Sequence, residues 1–235
     1  YIQKEMNAYL EYDPDVFRGK VILLPCDDPE WSNFTKFFAQ NFERFGIKKL
    51  ISTSYSIQNK KKQYDIFRQM DFFNSDSERI DEVKELINGK IFTLTRDINK
   101  SGNIDYDDLE WDYLEGDGDF RSEEISKLRD EADIIITNPP FSLFSEFVAW
   151  VFEANKDLVI IGSQNAITYK EIFPLIKENK LWLGATNNNE DMVFEVPEDA
   201  EIAKGDKEKA ERLGYVGNYT RLGNACWFTS IDHGR

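Results

Sequence analysis

The stretch Ala132-Asp133-Ile134-Ile135-Ile136-Thr137-Asn138-Pro139-Pro140-Phe141 leaves this chain few ways to fold. Its β-branched run predicts a buried, parallel strand. Two consecutive prolines, with φ fixed and no N–H to donate, forbid that strand to continue beyond Asn138. Directly afterwards Phe144, Phe147, Val148, Val151 and Phe152 recur at helical spacing, which predicts a helix over 142–155. Strand, tight turn and helix in that order put the turn at the carboxyl edge of an open α/β sheet, where such sheets bind ligands.

The groups in the turn define what it can hold. Pro139 and Pro140 present carbonyls without competing N–H donors, and Asn138 adds a side-chain amide oxygen. An exocyclic amine would meet two acceptors there and keep its nitrogen lone pair for an electrophile, while Phe141 offers a flat face to a heterocycle. The same four residues also suit a Pro-Pro turn over a core phenylalanine.

The rest of the chain alternates strand and helix patterns. Residues 1–19 predict a lead-in helix and a turn at Asp13-Pro14, and Lys20–Leu24 a short strand that stops at Pro25-Cys26-Asp27-Asp28-Pro29-Glu30. Phe34, Phe37, Phe38, Phe42 and Phe45 then mark one face of a helix closed by Gly46. Further strands are predicted over 50–55, 90–95, 109–114, 158–162, 181–184, 192–196 and 225–231. Helices are predicted over 77–88, 122–129 and 169–178, with a turn at Asn187-Asn188-Asn189 and a solvated loop or helix over 198–212. The pattern implies one α/β domain over 1–235: a doubly wound, mostly parallel sheet with an antiparallel strand near its C-terminal end.

Two more turns carry candidate ligand groups. The first, after residue 24, has no glycine for a pyrophosphate to approach, and Asp27 and Asp28 would repel one. They suit a ligand with a sulfonium, an ammonium and ribose hydroxyls, so S-adenosylmethionine is preferred over NAD. Ser32 and Asn33 cap the following helix or touch the ligand, and capping is the preferred reading. For the ribose, Asp27, Asp28 and the hydroxyls of Thr53 and Tyr55 stay open. In Glu115-Gly116-Asp117-Gly118-Asp119-Phe120-Arg121-Ser122, Asp119 could accept from an adenine amine and Phe120 pack on its ring, although an acidic turn over a core phenylalanine fits equally. Residues 97–108 place oxygen donors at many EF-hand positions, yet a strand leads in and Asp108 stands where a bidentate glutamate is needed. A hairpin turning at Ser101-Gly102 is the simpler reading.

Composition narrows the chemistry. Two cysteines, Cys26 and Cys226, and the single His233 argue against a disulfide framework and a cysteine- or histidine-based metal centre, so a cofactor must supply the reactivity. No window approaches the roughly 20 apolar residues of a membrane span, and no signal-peptide pattern opens the chain, which predicts a cytoplasmic protein. A net charge of −15 and a pI near 4.6 oppose nucleic-acid binding through general electrostatics. Screening over about 8 Å still allows a local cationic cleft, with Lys60-Lys61-Lys62, Lys48-Lys49 and Arg121 as its candidate sources.

Cys26-Asp27-Asp28-Pro29 with Ser32-Asn33-Phe34, then Gly116 to Ser122, Thr137 to Phe144, and Gln164-Asn165-Ala166-Ile167-Thr168, in that order, resemble the EcoRI-type adenine-specific DNA methyltransferase family. The resemblance runs from about Phe17 to Trp227. It implies a Rossmann-like methyltransferase fold, S-adenosylmethionine as methyl donor, and N6 of a DNA adenine, flipped from the duplex, as acceptor. By the same resemblance Pro25, Cys26, Asp27 and Asp28 form the first cofactor loop with Ser32, Asn33 and Phe34. Asp119 and Phe120 hold the cofactor's adenine, and Asn138, Pro139, Pro140 and Phe141 bind the target base. The family's segment before Tyr1 and its longer region after the last strand are missing from this sequence, so target-recognition parts are expected to be minimal. RNA amino groups, a protein glutamine amide, or ligand binding without turnover are the alternatives to DNA methylation.

Overall fold

The computed structural model describes residues 1–29, 32–56, 88–186, 192–195, 202, 204–222 and 224–235. Its helices are α1 (Ile2–Tyr12), α2 (Asn33–Gln40), α3 (Phe42–Phe45), α4 (Glu123–Glu131), α5 (Phe144–Glu153), α6 (Phe173–Lys177) and α7 (Lys204–Arg212). Its strands are β1 (Val21–Leu24), β2 (Lys49–Thr53), β3 (Lys90–Leu94), β4 (Glu110–Tyr113), β5 (Ile134–Thr137), β6 (Asp157–Ser163), β7 (Trp182–Leu183), β8 (Met192–Glu195), β9 (Tyr219–Leu222) and β10 (Ala225–Thr229).

One 8-stranded sheet runs in the order β4-β3-β2-β1-β5-β6-β10-β7, and β8 pairs with β9 in a separate two-stranded ribbon. The four central strands, β2, β1, β5 and β6, are parallel. Because parallel strands buried on both faces need apolar residues at every position, the runs Val21–Leu24 and Ile134–Thr137 are continuous rather than alternating. The side-chain period of two still sorts them. Ile22, Leu24, Ile134 and Ile136 pack with Met6, Tyr9, Phe34, Phe38 and Phe45 from α1 to α3. Val21, Leu23 and Ile135 pack on the opposite face with Ile125, Phe144, Phe147, Val148 and Val151 from α4 and α5.

The expected antiparallel strand near the C-terminus is β10, which lies between β6 and β7 and runs against both. The opposite edge is antiparallel too, with β3 against β2 and β4 against β3. The sequence reading placed the 90–95 and 109–114 arms as a hairpin but assigned no antiparallel pairing to its junction with β2. That pairing joins elements separated by residues 57–87 and leaves no local trace. The helix expected over 77–88, the lysines 60–62 and the turn at 187–189 lie outside the described residues, apart from Asn88.

Three local differences have physical causes. The phenylalanine stripe is broken at Asn41, whose amide donates to the Phe37 carbonyl at 2.9 Å, so α2 and α3 replace one helix. Gly46 closes α3 at φ 66°, the left-handed C-cap expected of it. The helix expected over 169–178 shrinks to α6, because Pro174, with no N–H to donate, is tolerated only in a helix's first turn. Finally, β9 was not anticipated: four residues after an exposed Gly-rich turn carry too little pattern to announce a strand.

Candidate functional site

The carboxyl ends of β1, β2 and β5 lie side by side, and the order changes direction between β1 and β5, since β1 leads to β2 on one side while β5 occupies the other. That crevice is the expected place for a ligand. A cleft of about 1350 Å³ opens there. Pro25, Cys26, Asp27, Asp28, Ser32, Asn33 and Phe34 line it from β1 and α2, Asp119 and Phe120 from the loop before α4, and Asn138, Pro139, Pro140 and Phe141 from the end of β5. Three turns separated by about 90 and 20 residues in the sequence thus meet in one space, and every candidate site residue reaches it.

The corner after β5 alternates open and buried positions. Thr137 is buried, Asn138 and Pro140 are exposed, and Pro139 is buried between them. Phe141 keeps 37% of its surface open on the cleft wall. Pro140's carbonyl accepts the Leu143 N–H at 2.9 Å and so starts the 3-10 turn into α5. The Asn138 side-chain oxygen and the Pro139 carbonyl are the corner's other acceptors.

The two adjacent aspartates are not equivalent. Asp27 is only 4% exposed. One carboxylate oxygen accepts from the Thr137 hydroxyl and the other from the Ser32 hydroxyl at 2.7 Å, while the Asn138 backbone N–H also donates to the carboxylate. Burial pushes its carboxyl up to about 6, opposed by those three hydrogen bonds. Asp28 is half-buried on the cleft wall. Ser32 caps α2 as preferred, its hydroxyl accepting the Phe34 N–H at 3.1 Å, and it also lines the cleft. Cys26 is half-buried, and burial, followed by the charge of Asp27, pushes its thiol up to about 12, which makes it a poor nucleophile.

The loop before α4 reaches the cleft through Gly118. At φ 84° it lies flat on the Ser54 carbonyl at the end of β2, where any Cβ would collide with that oxygen. Ser56 N–H donates to the Asp117 carbonyl at 2.8 Å and fixes the approach. Asp119 arrives as half of an ion pair, with Arg121 Nε and Nη2 at 2.9 and 2.5 Å from its two oxygens. Four lone-pair sites on a carboxylate leave room for a further donor. Phe120 is 4% exposed and packs edge-on against Phe147 and Trp150, so most of its ring serves the core.

Of the ribose candidates, Thr53 is spent on the Pro25 carbonyl at 3.0 Å, whereas Tyr55 is exposed on the cleft wall. Val193 and Glu195 of β8, and Tyr1 to Gln3 at the start of α1, also line the cleft and were missed. Only the i, i+2 spacing of Val193 and Glu195 hinted at a shared face. Lys49 pairs with Glu131 at 2.7 Å, and Arg121 is occupied by Asp119 and Glu146. In the loop over 97–108, Asp108 accepts from the N–H groups of Ile98, Asn99 and Asp105, and Asp97 from Ser101 and Gly102, so these carboxylates tie the loop's own backbone. Among the described residues no helix is long and apolar enough to cross a membrane.

A parallel central sheet with an acidic first turn, an acid-aromatic loop and an Asn-Pro-Pro-Phe corner at one crevice defines a domain of the Rossmann-like methyltransferase fold. The chain belongs to the EcoRI adenine-specific methyltransferase family, whose model matches residues 1–235. It is 37% identical over 232 residues to the Type II methyltransferase M.EcoRI of Escherichia coli, covering 98% of this chain and 63% of that one. It is 31% identical over 227 residues to the Type II methyltransferase M.MpnI of Mycoplasma pneumoniae, covering 93% of this chain and 59% of the relative. The chain therefore spans about three fifths of the length of these relatives.

Proposed function

We propose that this domain transfers a methyl group from S-adenosylmethionine to N6 of an adenine in cytoplasmic DNA. The observation that carries the reading is the convergence of the two acidic turns and the Asn138–Phe141 corner on one cleft. The cleft's chemistry fits the cofactor: Asp28, Asp119 and Glu195 offer carboxylates to a cationic ligand and to hydroxyl or amine donors, and Tyr55 and Phe37 offer aromatic surface. When bound, the cofactor supplies an electrophilic methyl group on a sulfonium.

The chain's own residues bind, orient and shield. Pro25, Cys26 and Asp28 with Ser32, Asn33 and Phe34 hold the cofactor's side of the cleft, and Asp119 accepts from its adenine amine. Asn138 Oδ1 and the Pro139 carbonyl take the two hydrogens of the target amine and turn its lone pair inward, with Phe141 stacked on the base. The amine becomes cationic only as the bond forms, so these two oxygens stabilise the developing charge and no strong base is needed beforehand. An amine within a duplex cannot reach the corner, which requires the base to be flipped out.

Tritiated methyl transfer to DNA, RNA and protein pools tests the acceptor: label in DNA adenine supports the reading, and label confined to RNA or protein overturns it. Asn138→Ala is expected to leave cofactor affinity within a few-fold by calorimetry and to cut turnover on the order of 100-fold. Turnover within a few-fold of the parent would remove Asn138 from its role.

A further inference from the structure

Asp27 is one of the two first-turn aspartates expected to face the cofactor, yet its carboxylate points into the protein. It is 4% exposed, and its oxygens are engaged by Thr137 Oγ1, Ser32 Oγ and the Asn138 N–H. Its backbone is equally committed. The Asp27 N–H donates to the Thr53 carbonyl at 3.1 Å, and its own carbonyl accepts from the hydroxyls of Thr35, at 3.2 Å, and Ser52. One residue thereby joins the ends of β1, β2 and β5 and the first turn of α2.

Two of these contacts bear on the corner. Thr137 immediately precedes Asn138, and the Asn138 N–H is the last backbone donor before two prolines that have none. Holding both fixes the peptide plane from which the Asn138 side chain departs. An ionised group is a poor device for stability alone, because desolvating it offsets most of what its hydrogen bonds return. A buried carboxylate aimed at the backbone of an amine-binding residue has a different use.

We propose that Asp27 is a positioning residue: it sets the orientation of Asn138 relative to the cofactor loop, so that loop and acceptor corner form one rigid unit, and it makes no contact with the cofactor. The assignment rests on the reading above for the role of Asn138. It divides the labour of the acidic pair, Asp28 facing the ligand and Asp27 bracing the wall behind it.

The test compares Asp27→Ala, Asp27→Asn and Thr137→Val with the parent in the intact protein. Three readouts are taken: S-adenosylmethionine affinity by calorimetry, single-turnover methyl transfer at saturating cofactor, and hydrogen exchange of the Asn138 amide without cofactor. Asp27→Ala is expected to slow transfer on the order of 100-fold, the scale of a small misplacement of a reacting group, with affinity within about threefold. Asp27→Asn keeps one acceptor oxygen and should recover part of the rate. Thr137→Val removes a single hydroxyl from the brace and should shift rate and exchange in the same direction, so the comparison survives even if the alanine variant fails to fold. Asn138 amide exchange should accelerate at least tenfold in Asp27→Ala or, if that does not fold, measurably in Asp27→Asn. Affinity falling in step with the rate would make Asp27 a cofactor ligand, and unchanged exchange at Asn138 would remove the brace; either overturns the proposal. Absence of adenine methylation by the parent would strike the functional reading instead, and the exchange comparison would still decide whether Asp27 holds the corner.

Discussion

At the residue scale Asp27 gives a signature that is separate from turnover. Its carboxyl titrates near 6 in the folded protein, above the ordinary value of 3.8, because burial disfavours the charge. Below the ordinary value the group is protonated in both folded and unfolded chains, and the stability it contributes is fully present. As pH rises through about 6 the folded chain must ionise it at a cost, and that contribution is lost. A shift of roughly two units corresponds to about 3 kcal/mol. Asparagine does not titrate, so the stability of Asp27→Asn relative to the parent is expected to rise between pH 5 and pH 7.5, followed by urea denaturation at each pH. A difference that stays flat across this range would contradict the buried, ionised carboxylate.

At the element scale the unit that matters is β5, the corner and α5. The corner is held at one end by Asp27 and at the other by Phe144, the first residue of α5. The Phe144 ring packs 4.9 Å from that of Phe228 on β10 and covers Gly162 on β6. A Cβ at Gly162 would lie within the radius of several atoms of the Phe144 ring, so space rather than turn geometry requires this glycine. Gly162→Ala must push Phe144, and with it the start of α5. Overpacking of this kind costs about 1–3 kcal/mol. The expected result is a lower urea midpoint together with slower methyl transfer. A neighbouring change on the same strand that leaves Phe144 in place, Val159→Ala, should lower stability without that specific loss of rate. Equal rate losses for the two would mean that the position of α5 does not govern the corner.

At the scale of the whole molecule the start of the sequence is joined through Glu5 to a segment about 180 residues further on. This carboxylate is completely buried, accepting from Tyr9 Oη at 2.8 Å, from the backbone N–H groups of Ala185 and Thr186 at 2.8 and 2.9 Å, and from the Thr186 hydroxyl at 2.6 Å. It docks α1 against the segment after β7. Tyr1 Oη accepts the Val193 N–H at 3.1 Å and extends the same attachment to β8. Both partners line the cleft, so α1 and β8 form its outer wall through contacts between residues about 180 apart. Glu5→Ala would strand several buried donors, and leaving such donors without a partner costs about 1–3 kcal/mol. Chemical denaturation is expected to show a loss of that size, whereas a loss below about 1 kcal/mol would show that water replaces the carboxylate without penalty.

Much of this is legible in the sequence alone. Ile134–Thr137 could only be a strand and Pro139-Pro140 could only end it, because propensity, missing donors and side-chain period act within a few residues of one another. The acidic first turn, the Asp119 loop and the corner were recognisable for the same reason. The partners of each side chain were not. Asp27 reads as a cofactor contact because a carboxylate beside a cleft and a carboxylate behind its wall have the same local sequence, and its burial depends on partners such as Thr137, 110 residues away. The antiparallel edge of β3 and β4, the arrival of β8 at the cleft and the Glu5 attachment are likewise pairings across long stretches of chain. Local chemistry determined which elements form and which groups they carry; the closing of those long loops decided which groups face the cleft and which are buried behind it, since that choice depends on distances no short window of sequence contains.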